Sequence, residues 1–290
     1  MLAHVTELDR MQQRSCAESS IMQMLAVAYY LIDEEAYAQH AVKLLRAWFL
    51  DPATRMNPNL NYGQGVPGRC DGRGTGIIDT VAFVRLVDVA ALLESSAAWT
   101  AEDRQGMIAW CEAYLKWLRT DKLGKDESRA PNNHGTWYDA QITALALYVG
   151  QQDLARGTLE ASKHRRIDMQ IEPDGSQPRE LARTKSFGYS LFNINGLFTL
   201  ANLGEHIGVD LWHYHSQDGR SIRTALDFIA PYAAPEKKWP HPELHFGRSA
   251  LVPLLQQGAV VYGDPGYRQL LELLPAADVA ANRSRLLYPW

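Results

Sequence analysis

Apolar residues recur along most of the chain at intervals of three and four. Ile21, Met24, Leu25, Ala28 and Ile32 form one such series, and Phe83, Leu86, Val87 and Ala90 form another. Met107, Trp110, Cys111, Tyr114 and Leu118 give a third, and Ile142, Leu145, Ala146 and Val149 a fourth. Each series is the stripe of an amphipathic helix. Thr100 and Asp103 stand three apart at the start of the third, as a capping box would. Gly150 closes the fourth. Leu191, Ile194 and Phe198 follow, then Leu226 to Ile229 and Leu270 to Leu274. Strand-like alternation is hard to find. The pattern predicts an all-α chain of eight or more modest helices, each burying one face and stacked in pairs. An α-solenoid and an α/α toroid, an incomplete barrel of helical hairpins, both satisfy this. The absence of a fixed-period repeat favours the toroid. With no Pro/Ser-rich linker or charge block, residues 1–290 are expected to form one domain.

Three stretches break the helical period. Residues 51–79 hold six Gly, three Pro and three Asn. The others are 119–138, ending APNNHGTWYD, and 171–189, IEPDGSQPRELARTKSFGY. Long loops in a compact domain are generally functional. These three are expected to wall one cleft.

Composition narrows the chemistry. Lys and Arg number 29 against 33 Asp and Glu, a net charge of −4. Binding nucleic acid through bulk charge is therefore not expected. The apolar run from Met24 to Ile32 is too short to span a bilayer. Cys16, Cys70 and Cys111 are sparse, odd in number and without a CxxC spacing. His241, Glu243 and His245 spell HPELH, but the Glu is misplaced for a zinc protease and Pro242 breaks the helix that site needs. No metal or cofactor is expected.

Two clusters could carry chemistry. Asn132, Asn133 and His134 precede a helix predicted from about Trp137. Amides and a helix N-terminus favour an anion there, and His134 exchanges a proton near neutrality. Plain helix capping explains the same residues equally well. Arg183 is a permanent cation suited to a carboxylate, and a guanidinium beside Tyr189 favours its phenolate. A surface arginine and a half-buried tyrosine are the ordinary alternative. In the first loop, Arg55, Arg69 and Arg73 could hold a polyanion, with Tyr62, Trp137 and Tyr138 as exposed aromatics stacking on sugar rings. Surface ion pairs and core packing are the competing readings.

The stretches RAWFLDPATRMNPNLNYGQGVPG (46–68), GRGTGIIDT (72–80), NNHGTWYDAQ (132–141) and DGSQPRELART (174–184), with Tyr189, carry a resemblance. GVDLW (208–212) and WP (239–240) extend it. Together they resemble the alginate lyase-like family of polysaccharide lyases. The resemblance implies an α/α toroid that cleaves a uronic-acid polymer, alginate or glucuronan, by β-elimination. It implies Asn133, His134, Arg183 and Tyr189 as the catalytic set. Asn132, Tyr62, Gln64, Arg69, Arg73, Trp137, Tyr138, Gln141 and Glu180 are the expected substrate contacts. An acidic polysaccharide is then the partner. Family members are usually exported, which implies a periplasmic or secreted protein, although the first twenty residues show no signal-peptide pattern. A non-catalytic acidic-glycan binder is the rival reading. A glycoside hydrolase is a third, with Glu180 and Asp174 as its carboxylates, but both lie on one loop.

Overall fold

The computed structural model describes residues 20–288. Their regular structure is helical throughout, apart from two isolated bridges, Val66 with Cys70 and Lys185 with Glu243. They form two compact units, one of residues 20–130 with 137–155, the other of 131–136 with 156–288. Two of the helices, Asn133–Tyr148 and Gln152–Ser162, run from one unit into the other.

The first unit holds α1 (20–32), α2 (Glu35–Leu45), α3 (Phe83–Leu92), α4 (Ala101–Thr120), α5 (Lys122–Ser128) and most of α6 (Asn133–Tyr148). The stripes expected on α3 and α4 are buried as predicted. The Thr100–Asp103 capping box is complete, with each side chain bonded to the other residue's backbone N–H. Arg46 adds two bonds to the Asp103 carboxylate, at 2.8 and 2.6 Å. Phe49, Phe83, Trp110 and Tyr114 pack edge-on or tilted at centroid distances of 4.8–5.9 Å. Each such pair adds about 0.5–1.5 kcal/mol beyond burial.

On α1 the predicted phase is corrected. Met22, Ala26 and Tyr29 are buried, while Ile21, Met24 and Ile32 are exposed. The small Ala26 allows close approach, and Tyr29 Oη lies 3.2 Å from Ser95 Oγ, which fixes this face inward. The stretch 119–138 is also more regular than expected. Asp121 accepts from Leu123 N–H and starts α5 inside it.

The second unit holds α7 (Gln152–Ser162, its first residues in the first unit), α8 (Pro178–Leu181), α9 (Ser186–Glu205), α10 (Ile222–Ile229), α11 (Val252–Val261), α12 (Pro265–Glu272), α13 (Ala276–Ala281) and α14 (Ser284–Leu287). Leu191, Ile194 and Phe198 of α9 face the core, as the pattern predicts. The HPELH segment has a structural use. Glu243 Oε2 accepts from the N–H groups of Phe187 and Gly188 and so caps α9, while Ser186 N–H donates to Pro242 O. Trp239 packs edge-on to Phe187 at 5.2 Å and donates to Ser186 Oγ. Among the described residues no helix is long and apolar enough to cross a membrane, and no group of His, Cys, Asp and Glu is placed to hold a metal ion. Cys70 and Cys111 are free, and Cys16 lies outside the described residues.

Candidate active site

The helix that carries Asn133 and His134 begins four residues earlier than its apolar pattern predicts. Asn133 is its first residue rather than part of a preceding loop. The cause is a distant cap. Glu180, on α8, accepts from the Asn133 backbone N–H through Oε1 and from Asn133 Nδ2 through Oε2, both at 2.7 Å. A helix start needs acceptors for its first N–H groups. Here the acceptor lies 47 residues away in sequence, so local spacing could not reveal it.

Asn133 and Glu180 are both buried, at 1% exposure, whereas Asn132 and His134 are half-exposed. Burial pushes the Glu180 carboxyl above the usual range. The Asn133 bonds, and then the nearby Arg183 and His134, pull it back without cancelling the rise. Both oxygens of Glu180 are thus engaged from the protein side, although it was expected to touch substrate.

Arg183 follows α8 by two residues, and its backbone N–H donates to Glu180 O at 3.0 Å. Its guanidinium carbon sits over the Tyr189 ring, 4.1 Å from the centroid. Stacking uses the face of the guanidinium and leaves its N–H edge in plane for a carboxylate. Among the described residues neither the guanidinium nor the Tyr189 hydroxyl has a hydrogen-bond partner. Both side chains are half-exposed. Tyr189 lies in the first turn of α9, the turn capped by Glu243.

A buried amide network braces these pieces. Asn193 Nδ2 donates to Gln170 Oε1 at 3.0 Å and to Gln177 Oε1 at 2.8 Å. Thr136 Oγ1 donates to the same Gln170 oxygen, and Gln170 Nε2 to Asn132 O. Gln177 Nε2 completes the set by donating to Ser190 O, next to Tyr189. The network ties the start of α6, the loop before α8 and the first turns of α9 together. Sequence reasoning missed it, because isolated Gln and Asn residues carry no spacing signal. Asn133, His134, Arg183 and Tyr189 therefore belong to one compact unit, and all bear on Glu180 directly or through Arg183.

The other expected contacts lie in the first unit, and several are committed within it. Trp137 and Tyr138 are buried rather than exposed, and Tyr138 Oη donates to Leu118 O at 3.0 Å. Gln141 is buried, and its Oε1 accepts from Thr80 Oγ1. Gln64 Nε2 donates to Asp79, while Arg73 Nε donates to Gln64 O, which ties the loop to itself. Tyr62, Arg55 and Arg69 are exposed. Asp174, the hydrolase candidate, is held below the usual carboxylate range by bonds from Ser176.

One unit thus carries two Asn amides, an imidazole, a guanidinium and a phenol, groups that suit an acidic carbohydrate. The comparisons give the family. The family model "Alginate lyase" matches residues 3–239, and the chain belongs to that family. It is a polysaccharide lyase, a carbon–oxygen lyase on the α/α toroid scaffold. Among solved structures, an alginate lyase from Bacteroides ovatus is 37% identical with a TM-score of 0.91, over 96% of this chain and 74% of that one. Alginate lyase A1-III, in two variants each complexed with a tetrasaccharide, matches at 19% and 18% identity with TM-scores of 0.63 and 0.59. Those matches cover 85% and 83% of this chain, and 67% and 68% of theirs. No curated protein sequence matches the chain.

Proposed function

We propose that the protein cleaves alginate by β-elimination at the uronate bound between Arg183, Tyr189, Asn133 and His134. The observation that supports this most is the stacked Arg183–Tyr189 pair. It presents a permanent cation and a hydroxyl with no hydrogen-bond partner among the described residues, in the unit that holds Asn133 and His134.

The C5 proton of a uronate is only weakly acidic while its neighbouring carboxylate is charged. Arg183 and Asn133, with Asn132 beside it, neutralise that carboxylate and stabilise the enolate-like intermediate. The C5–H bond then breaks, and its electron pair becomes the C4=C5 double bond as the C4–O4 bond breaks. The proton leaving C5 passes to His134 where H5 and O4 lie on opposite faces, as in guluronate. It passes to the Tyr189 phenolate where they share a face, as in mannuronate. The departing O4 takes its proton from the Tyr189 hydroxyl: the hydroxyl's own proton in the first case, the one just taken from C5 in the second. Positioned acid–base groups contribute about 10²–10⁴ in rate. Tyr62, Arg55 and Arg69, exposed on the first unit, are proposed as polymer contacts in their own right.

The test is a panel of polymannuronate, polyguluronate, glucuronan and hyaluronan, followed by the ultraviolet absorbance of the conjugated product. Alginate blocks should yield it, and Tyr189→Phe should abolish it while polymer binding survives. Absorbance growth at the wild-type rate in Tyr189→Phe would refute the assignment. Product from glucuronan alone would move the substrate but keep the chemistry.

A further inference from the structure

We infer that Glu180 is a positioning residue that acts on the reaction through Asn133, and is not a substrate contact. The inference rests on the site proposed above. It starts from the two short bonds that Glu180 makes to a single residue, one to the backbone and one to the side chain of Asn133.

An Asn carboxamide can rotate by half a turn, which exchanges its oxygen and its NH₂ group. With the oxygen toward a uronate it would repel the carboxylate, and with the NH₂ toward it, it would donate. Glu180 is an acceptor at both oxygens when ionised, so it forces Nδ2 to its own side and fixes the amide plane. One N–H of Nδ2 is used by Glu180, and the second is the donor that the proposed site assigns to the uronate. The bond to the backbone N–H holds the same residue at the start of α6, so both the position and the orientation of Asn133 are set by one side chain. The buried carboxylate also lies near Arg183 and His134, two further groups assigned to the uronate. The Glu180 carboxylate is itself at 1% exposure, so water does not replace it. Glu180 is itself held on the short α8, whose N-terminal flank, Gln177, belongs to the buried amide network.

The variant that tests this is Glu180→Gln, made in the wild-type and Asn133→Ala backgrounds. Gln fills the same volume but offers one acceptor, so one Asn133 N–H must face an NH₂ group. Misplacement of a reacting group by about 1 Å costs on the order of 10²-fold. We expect kcat to fall about 10²-fold in the wild-type background with KM changed less than about threefold. In the Asn133→Ala background the same substitution should change kcat less than about threefold, since its target is gone. A role in folding alone would give equal losses in both backgrounds and would overturn the inference. So would a raised KM at unchanged kcat, the mark of a substrate contact. Should Glu180→Gln not fold, Glu180→Asp replaces it in both backgrounds, since it withdraws the carboxylate by one methylene. If Asn133→Ala alone keeps wild-type turnover, it is the active-site reading that fails, and the cycle separates that result from a failure of the role given to Glu180.

Discussion

Asp103 in the first unit and Glu180 in the second are both buried carboxylates that accept from a helix N-terminus. They are driven in opposite directions. Burial pushes Asp103 up, but the bonds from Arg46 and Thr100 outweigh it and hold the carboxyl below the usual range. Burial pushes Glu180 up, and its partners, chiefly an amide, do not bring it back. The difference lies in what faces each group. Asp103 has a guanidinium bonded at two points, so its charge is matched and its work is finished inside the fold. Near Glu180 the guanidinium of Arg183 donates no hydrogen bond and stacks on Tyr189 instead. A charge pair completed by the protein stabilises, whereas one left open is available to a ligand.

The sharpest way to break that comparison is to remove each arginine. Arg183→Ala should lower kcat by about 10²–10³ and leave the midpoint of denaturation nearly unmoved. Arg46→Ala should leave kcat unchanged and cost about 1–2 kcal/mol of stability, because it strips two bonds from a buried carboxylate whose partner is half exposed. Steady-state turnover and urea denaturation on both variants decide it. A stability loss in Arg183→Ala equal to that of Arg46→Ala would erase the distinction.

A smaller effect separates the two glycine-rich loops. Gly68 and Gly175 both have positive φ, 74° and 84°. A Cβ at Gly68 meets nothing, whereas at Gly175 it would collide with the backbone carbonyl of Thr224. Gly68→Ala should therefore cost only the left-handed penalty of about 1 kcal/mol. Gly175→Ala should cost more than about 2 kcal/mol, since backbone must shift. It should also lower turnover, because the loop leads into Glu180 and Arg183. Denaturation midpoints that rank the two the other way would show that the second loop is the more pliable.

Much of this is legible in the chain itself. The α3, α4 and α9 stripes, the Thr100–Asp103 box and the pairing of Arg183 with Tyr189 rest on spacing within about ten residues. The misses share one physical cause. The α1 stripe was misphased because both faces carry apolar residues, and tertiary packing on Ala26 and Tyr29 chose between them. Trp137 and Tyr138 read as exposed by type, yet α6 is buried along almost its whole length, which no local pattern announces. The cap on α6 came from Glu180 and the cap on α9 from Glu243, each remote in sequence. Non-local hydrogen bonds by single polar side chains leave no period to read.

The subtlest consequence of the comparison is a pair of pH slopes of opposite sign. Asp103 titrates lower in the fold than in the unfolded chain, so it contributes stability above the ordinary carboxylate range, lost as pH falls through that range. Glu180 titrates higher in the fold, so its contribution is full below the ordinary range and is lost as pH rises through its folded value. A tenfold difference in proton affinity between folded and unfolded chains corresponds to about 1.4 kcal/mol. The amide variants remove one titration each. Asp103→Asn should be less stable than wild type near neutrality, and the gap should close as the solution is acidified. Glu180→Gln should gain on wild type as pH rises through the ordinary carboxylate range and above it, because it no longer has to bury a charge. Urea denaturation of the three proteins across that range reads both slopes. If the two variants run parallel to wild type, the carboxylates titrate alike in folded and unfolded chains, and the contrast between a completed and an open charge site loses its electrostatic basis.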